Sequence, residues 1–235
     1  MRCAMQSLAR RFDFGREALK IVAIITMVID HVGRILYPDL LFLQIIGRLS
    51  FPLFAYLIVL GVESTKRPWK YMITLLSFAI VAQVPYSLAF RIQPFERLNI
   101  LFSLCLCAAT IYFYIKRSAL ALIPLLLSFI PITEGSYYVV LTAVGMKLLK
   151  DTPKLGLLAL IVLNLQFIFI PEIETQIQAL ALLAVPLILL HTKNWLRKEI
   201  LIPEKSLVYS IRKYFFYVFY PLHLALLFSI KLLFF

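Results

Sequence analysis

Charged residues are scarce in this chain: they fill 15% of its 235 positions, while 62% are hydrophobic and the mean hydropathy is +0.91. Soluble domains have an apolar share nearer 45–50%, so a water-soluble globule is excluded and an integral membrane protein is expected. Each span takes about 20 mostly apolar residues, which leaves no length for a soluble domain, and residues 1–235 read as a single membrane domain. Cysteine is nearly absent. Cys3, Cys105 and Cys107 lack metal-ligand spacing and the close pair sits in an apolar run, so neither a disulfide framework nor a zinc site is indicated; packing is the expected role and no metal is expected. The sequence also lacks G-x-G-x-x-G, a P-loop, a nucleophile elbow and H-E-x-x-H, which removes support for soluble nucleotide-binding and zinc-hydrolase chemistry. The basic N-terminus precedes an apolar run as in a signal peptide. No small-residue cleavage site follows, however, and Asp30 interrupts the run, so it reads as a retained first span.

What the chain does have is positive charge, a formal net of +12. Nucleic acid is not the expected partner, because no soluble basic module accompanies the charge. Position along the chain explains it better. Hydropathy and breaks predict an all-α, polytopic bundle of about nine spans, near residues 18–36, 43–62, 70–90, 98–115, 118–132, 136–149, 155–170, 176–192 and 211–232. With the N-terminus cytoplasmic and the C-terminus extracytoplasmic, nineteen of the 24 Lys and Arg fall on the inner side. Arg34, Arg48, Arg91, Arg97 and Lys231 remain for the outer side. The chain is expected to cross its membrane many times. Pro52, Pro85, Pro124, Pro186 and Pro221 fall inside predicted spans, where kinks are expected.

The same orientation collects the unusual polar residues at one level, toward the outside. The run "IVAIITMVIDHVGRILYP", residues 21–38, places Asp30, His31 and Arg34 within a span, where a charge costs about 2.5–3.5 kcal/mol on insertion scales and usually faces protein. Asp30 and Arg34, four apart, share a helix face and can pair; a helix-locking role and a functional one both fit. His31 points about 100° away and is a candidate general base. Arg48 in "GRLSFP" fits either a headgroup anchor or a substrate contact. His223 in "YPLHLALL" fits either a helix-to-helix hydrogen bond or a site residue, and the aromatic run "KYFFYVFYPLHL" is expected to pack. Lys66, Arg67 and Lys70 serve topology, or also attract a phosphorylated cytosolic ligand.

At these residues the chain resembles the TraX family, whose namesake acetylates the N-terminus of conjugative F-type pilin. The resemblance rests on "LKIVAIITMVIDHVG" (19–33), "LQIIGRLSFPLFAYLIVLG" (43–61), "KYMITLLSFAIVAQVPYSLAF" (70–90), "LNILFSL" (98–104) and "KYFFYVFYPLHLALL" (213–227), about half the chain. I-D-H, G-R-L-x-F-P and Y-P-L-H in this order are specific in combination, while residues 105–210 add little. The family is similar in outline to larger membrane acyltransferases such as the lysosomal heparan glucosaminide acetyltransferase, which pass acetyl from cytosolic acetyl-CoA across the bilayer.

The resemblance implies an acetyltransferase that draws acetyl-CoA from the cytosol and modifies an extracytoplasmic acceptor, a pilin amine or a glycan, with the lipid bilayer as its surroundings. His31, Asp30, Arg48 and His223 form the expected catalytic set, with His31 as base, Asp30 paired to Arg34 or Arg48, and Arg48, Asn99 or His223 as oxyanion donor. Lys66, Arg67, Lys70, Asn99 and Arg34 form the expected donor-binding set. A proton-coupled or anion transporter and a non-catalytic pilus or secretion assembly protein are the alternatives. No repeat supports the transporter.

Overall fold

The structure, a computed structural model, describes residues 9–193, 199–203 and 207–234. A short strand, β1 (Ala9–Asp13), leads directly into helix α1 (Phe14–Leu36). Asp13 makes that transition because its carboxylate accepts the Arg16 amide at 3.1 Å, satisfying one of the donors a helix leaves open at its start. α1 has 23 residues, a rise of about 34 Å. Helices α2 (Leu41–Gly47) and α3 (Ser50–Ser64) follow as one interrupted coil. Pro52 has no N–H to give the Arg48 carbonyl, and the coil breaks at Arg48 and Leu49.

Two long passes come next, α4 (Pro68–Phe90) and α5 (Ile100–Ile115). α4 is apolar on the outside and polar within. Ile73, Ile80, Val84 and Leu88 are exposed, whereas Gln83, Tyr86 and Ser87 are buried. A water-soluble helix has the reverse arrangement, and this one suits a lipid-facing wall. After α5 a 3-10 turn, Ala119–Ala121, leads into the short α6 (Leu122–Leu127). Beyond α6 the chain is irregular and extends to Glu134. There the Leu98 amide donates to the Ile132 carbonyl and the Glu134 amide to the Leu98 carbonyl, both at 2.8 Å. The stretch expected as a helical span at 118–132 is therefore helical only over 119–127, and it returns along α5 to deliver Glu134 beside that helix's first residues.

α7 (Ser136–Asp151) and α8 (Pro153–Leu165) form a tight hairpin. A Cβ on Gly156 would lie 2.0 Å from the Leu149 amide nitrogen, so only glycine allows this approach. A 3-10 turn, Gln166–Phe169, the single turn α9 (Ile173–Gln176), a longer 3-10 segment, Ile177–Leu183, and α10 (Ala184–Thr192) complete the central part. Strand β2 (Glu199–Pro203) precedes the long α11 (Leu207–Phe234). β1 and β2 pair antiparallel, with Ala9 opposite Pro203 and Asp13 opposite Glu199. α1 therefore leaves the Asp13 end of the ladder and α11 comes after its Pro203 end, and α11 packs on both α1 and α4.

The all-α expectation holds for the bundle, and the two-stranded ladder is an addition to it. "EILIP" combines β-branched residues with a closing proline that cannot continue a helix. Leu41–Ser64, Pro68–Phe90 and Tyr214–Phe234 are each long and apolar enough to cross a membrane, and Ile100–Ile115, Pro153–Phe169 and Ile177–Thr192 are shorter apolar helices. Of the five prolines expected to kink spans, only Pro85 and Pro221 sit inside helices. Pro52, Pro124 and Pro186 occupy the first turns of α3, α6 and α10, where no intrahelical donor is lost. Cys107 is fully buried in α5 and the Cys105 thiol approaches the Met72 carbonyl at 3.7 Å, so both pack. Cys3 lies outside the described residues, as do Arg2, Arg197, Lys198 and Lys205 of the charge count.

Candidate active site

The C-terminal half of α1 presents Asp30, His31 and Arg34 to the interior, and all three line a small cavity with Ser50, Phe54 and Glu134. Arg34 sits at the centre of an ionic cluster. Its Nη1 donates to Glu134 Oε1 at 2.8 Å and lies 3.4 Å from Asp30 Oδ2. The guanidinium also lies over the Phe90 ring, 4.6 Å from its centre, a cation–π contact. Asp30 faces a second cation, since Arg48 Nη2 is 3.9 Å from its Oδ1. Arg48 Nη1 donates to Gln178 at 2.9 Å, while its buried Nε has no hydrogen-bond partner among the described residues. Two carboxylates and two guanidiniums balance in formal charge, which offsets the desolvation each would otherwise incur.

Backbone features deliver each member. Arg48 lies at the interruption before Pro52 with its backbone still in the right-handed helical region, and its side chain reaches α1. Gly47 beside it lets α2 lie directly on α1: a Cβ there would fall 2.2 Å from Asp30 Oδ1. Glu134 arrives through the irregular return along α5, and the Ser103 hydroxyl holds its carbonyl at 2.6 Å.

His31 meets His223 of α11. Nδ1 of His31 lies 2.7 Å from Nε2 of His223, and the rings stack with centres 5.0 Å apart. Both side chains are buried. The hydrogen bonds fix the proton positions in the neutral pair. His223 Nδ1 lies 3.1 Å from the Phe219 carbonyl, which can only accept, so the proton is on Nδ1 and Nε2 carries the lone pair. His31 Nδ1 must then donate to it, leaving His31 Nε2 as the unprotonated atom. Of the two imidazoles, His31 lines the cavity, and His223 stands behind it.

The remaining predicted residues divide. Asn99 is fully buried and uses its groups on the scaffold: it caps α5 at the Leu101 amide and donates to the Ala79 carbonyl and to Gln83. It does not line the cavity. Lys66 lines a second, larger cavity at the opposite end of the bundle, and Arg67 and Lys70 are exposed nearby without lining it. The predicted set therefore falls into two places, with Asp30, His31, Arg34, Arg48 and His223 together and the three basic residues near the ladder side.

A model of the family described as TraX protein matches residues 15–231. The chain belongs to the TraX family. Among curated proteins, this TraX-family chain is 28% identical to the probable fimbrial assembly protein FimC, serogroup H1, of Dichelobacter nodosus. That match covers 96% of this chain and 99% of the relative. It is 32% identical to the uncharacterized protein RP591 of Rickettsia prowazekii (strain Madrid E), over 42% of this chain and 37% of that one. No solved structure matches.

Two functional-looking groups escaped the sequence reading. Glu134 falls between the predicted spans 118–132 and 136–149, and nothing local marks a partner 100 positions away. His191 passed as the end of a span. Its Nδ1 lies 2.9 Å from the Tyr56 hydroxyl and its Nε2 3.1 Å from Asp13 Oδ2, a buried chain that ties α3 and α10 to the start of α1. The signal was available in principle: an apolar run ending in histidine and an Asp at a helix start.

Proposed function

We propose that this TraX-family protein is a multi-pass inner-membrane acetyltransferase, crossing the bilayer about nine times with its N-terminus inside. In this reading acetyl moves from cytosolic acetyl-CoA to an extracytoplasmic acceptor. The observation that carries it is the bare Nε2 of His31, held by the His223 relay at the wall of a cavity that an ionic cluster also lines. An acceptor amine attacks the thioester carbonyl, a C–N bond forms and the C–S bond breaks. His31 Nε2 takes the proton the amine loses and returns it to the departing thiolate, so the products are an acetamide and free coenzyme A. His223 accepts from His31 Nδ1 throughout and supports the imidazolium.

Arg34, on the cavity wall, is assigned to the developing oxyanion, a role first expected of Arg48, Asn99 or His223. Arg48 then acts through Asp30, keeping that carboxylate paired. The outer cavity, about 20 Å³, takes roughly one water, so substrates enter only when the surrounding helices part. The name of the D. nodosus relative, a fimbrial assembly protein, favours a pilus subunit as acceptor, and it also fits a non-catalytic assembly role. Transfer of labelled acetyl from acetyl-CoA in membranes separates the two. We expect transfer with the wild-type protein and a loss of about 10²- to 10⁴-fold in His31→Ala; full turnover in correctly inserted His31→Ala sinks the assignment.

A further inference from the structure

The larger cavity lies at the other end of the bundle and measures about 680 Å³, within the range of pockets that hold small-molecule ligands. Lys66, Lys116, Lys147 and Lys150 line it, and Glu63 is its one acidic lining residue. Glu63 is already committed: it pairs with Lys147 at 2.9 Å and with Lys150. Lys147 has a further partner in Asp151 at 2.8 Å. Lys66 and Lys116, exposed residues of the cavity lining, have no ion pair among the described residues. Tyr112 forms part of the wall and is held edge-on by Trp69 at 5.7 Å and by Phe113 at 5.2 Å. An anchored aromatic beside a surplus of cations suits a purine carrying phosphates.

The position of this cavity relative to the first one adds a second argument. Phe54 of α3 and Leu104 of α5 line the outer cavity, and Val62 of α3 and Tyr112 of α5 line the inner one. Each pair is eight residues apart on its helix, a rise of about 12 Å. The same two helices therefore present both cavities in line, with buried Ile58, Val59 and Ala108 between them. A ligand with a phosphorylated head and a slender arm about that long spans the two cavities once these side chains move apart.

We propose that the inner cavity is a binding site for a nucleotide bearing several phosphates, with Lys66 and Lys116 as its principal phosphate contacts and Tyr112 as the purine wall. Its identification as the adenosine bisphosphate head of an acyl-coenzyme A rests on the acetyltransferase reading; the phosphate site itself does not. Purified protein in zwitterionic nanodiscs is titrated with coenzyme A, with adenosine 3′,5′-bisphosphate and, separately, with anionic phospholipid supplied in the disc.

Both nucleotides should bind the wild type, and the double variant Lys66→Ala/Lys116→Ala should bind them at least about tenfold more weakly. His31→Ala should bind them as the wild type does. In the transfer assay the lysine variant should raise KM for acetyl-CoA and leave kcat nearly unchanged. Absence of nucleotide binding, binding indifferent to the two lysines, or occupancy by anionic lipid alone would each overturn the site, and an unchanged KM would overturn its identification with the acyl-coenzyme A head. Lysine-dependent nucleotide binding without any acetyl transfer supports the site and removes the transferase reading, so the two stand or fall separately.

Discussion

A carbonyl oxygen has no proton to give, and that fact orders the histidine pair. The Phe219 carbonyl takes the His223 Nδ1 proton, His223 Nε2 takes the His31 Nδ1 proton, and the base atom is left on the residue at the cavity wall. His223 on this account positions and stabilises without touching substrate. His223→Ala should lower kcat about 10²-fold, the lower end of what acid–base assistance is worth, and leave donor affinity alone. His223→Gln should recover much of the loss, because an amide oxygen can accept the same His31 proton. A purely packing role for His223 predicts no advantage of Gln over Ala, so comparing kcat for the two variants decides it. The sequence reading left open which histidine was the base, since tautomers follow from tertiary hydrogen bonds that no spacing encodes.

At the scale of elements, the site depends on the close approach of α2 to α1. α2 ends at Gly47, α3 resumes at Ser50, and Arg48 between them meets Asp30. Gly47→Ala places a methyl where Asp30 already lies, so α2 must retreat from α1 and overpacking costs about 1–3 kcal/mol. Thermal unfolding in detergent should register that loss, and acetyl transfer should fall with it as Asp30 shifts. Gly61→Ala is the control, because its Cβ would meet chiefly the far end of the Tyr71 side chain at 2.7 Å. Equal stability of the two variants would show that the α1–α2 contact is not tight.

Much at this scale was legible beforehand, since Asp30, His31 and Arg34 advertised themselves as polar residues in an apolar run; the interruption before Pro52 was not, because residues 43–62 read as one span kinked at that proline. Glu134 was not legible, because its segment abandons helical hydrogen bonding at Ser128 and pairs with Leu98 instead, a choice made by the neighbouring chain and not by local propensity. Asn99 misled for the opposite reason. Its polarity in an apolar setting looked like chemistry, yet a helix cap and a partner in α4 use its donors and acceptor.

For the whole molecule, orientation decides whether donor and acceptor can meet. The ladder joins the starts of α1 and α11, Asp13 reaches His191 at the end of α10, and Arg16 reaches Ser64 at the end of α3. These contacts gather one face of the bundle, and Lys147 and Lys150 near the end of α7 join it through Glu63. Asp39, Gln93 and Glu134 belong to turns at the other end. Lysine and arginine concentrate on the ladder face, and positive charge resists export, so the proposed orientation puts that face in the cytosol, where coenzyme A is found. A membrane-impermeant maleimide tests this in a background with Cys3, Cys105 and Cys107 replaced by Ala. Asp39→Cys and Gln93→Cys, both at exposed positions, should react in intact spheroplasts. Lys66→Cys and Lys116→Cys should react only after permeabilisation. The opposite labelling would put the lysine-lined cavity outside the cell and the His31 cavity near the cytosol. A cytosolic acyl donor would then have no basic entrance and the acceptor no route to the base, and the transferase proposal would fail on geometry before any rate was measured.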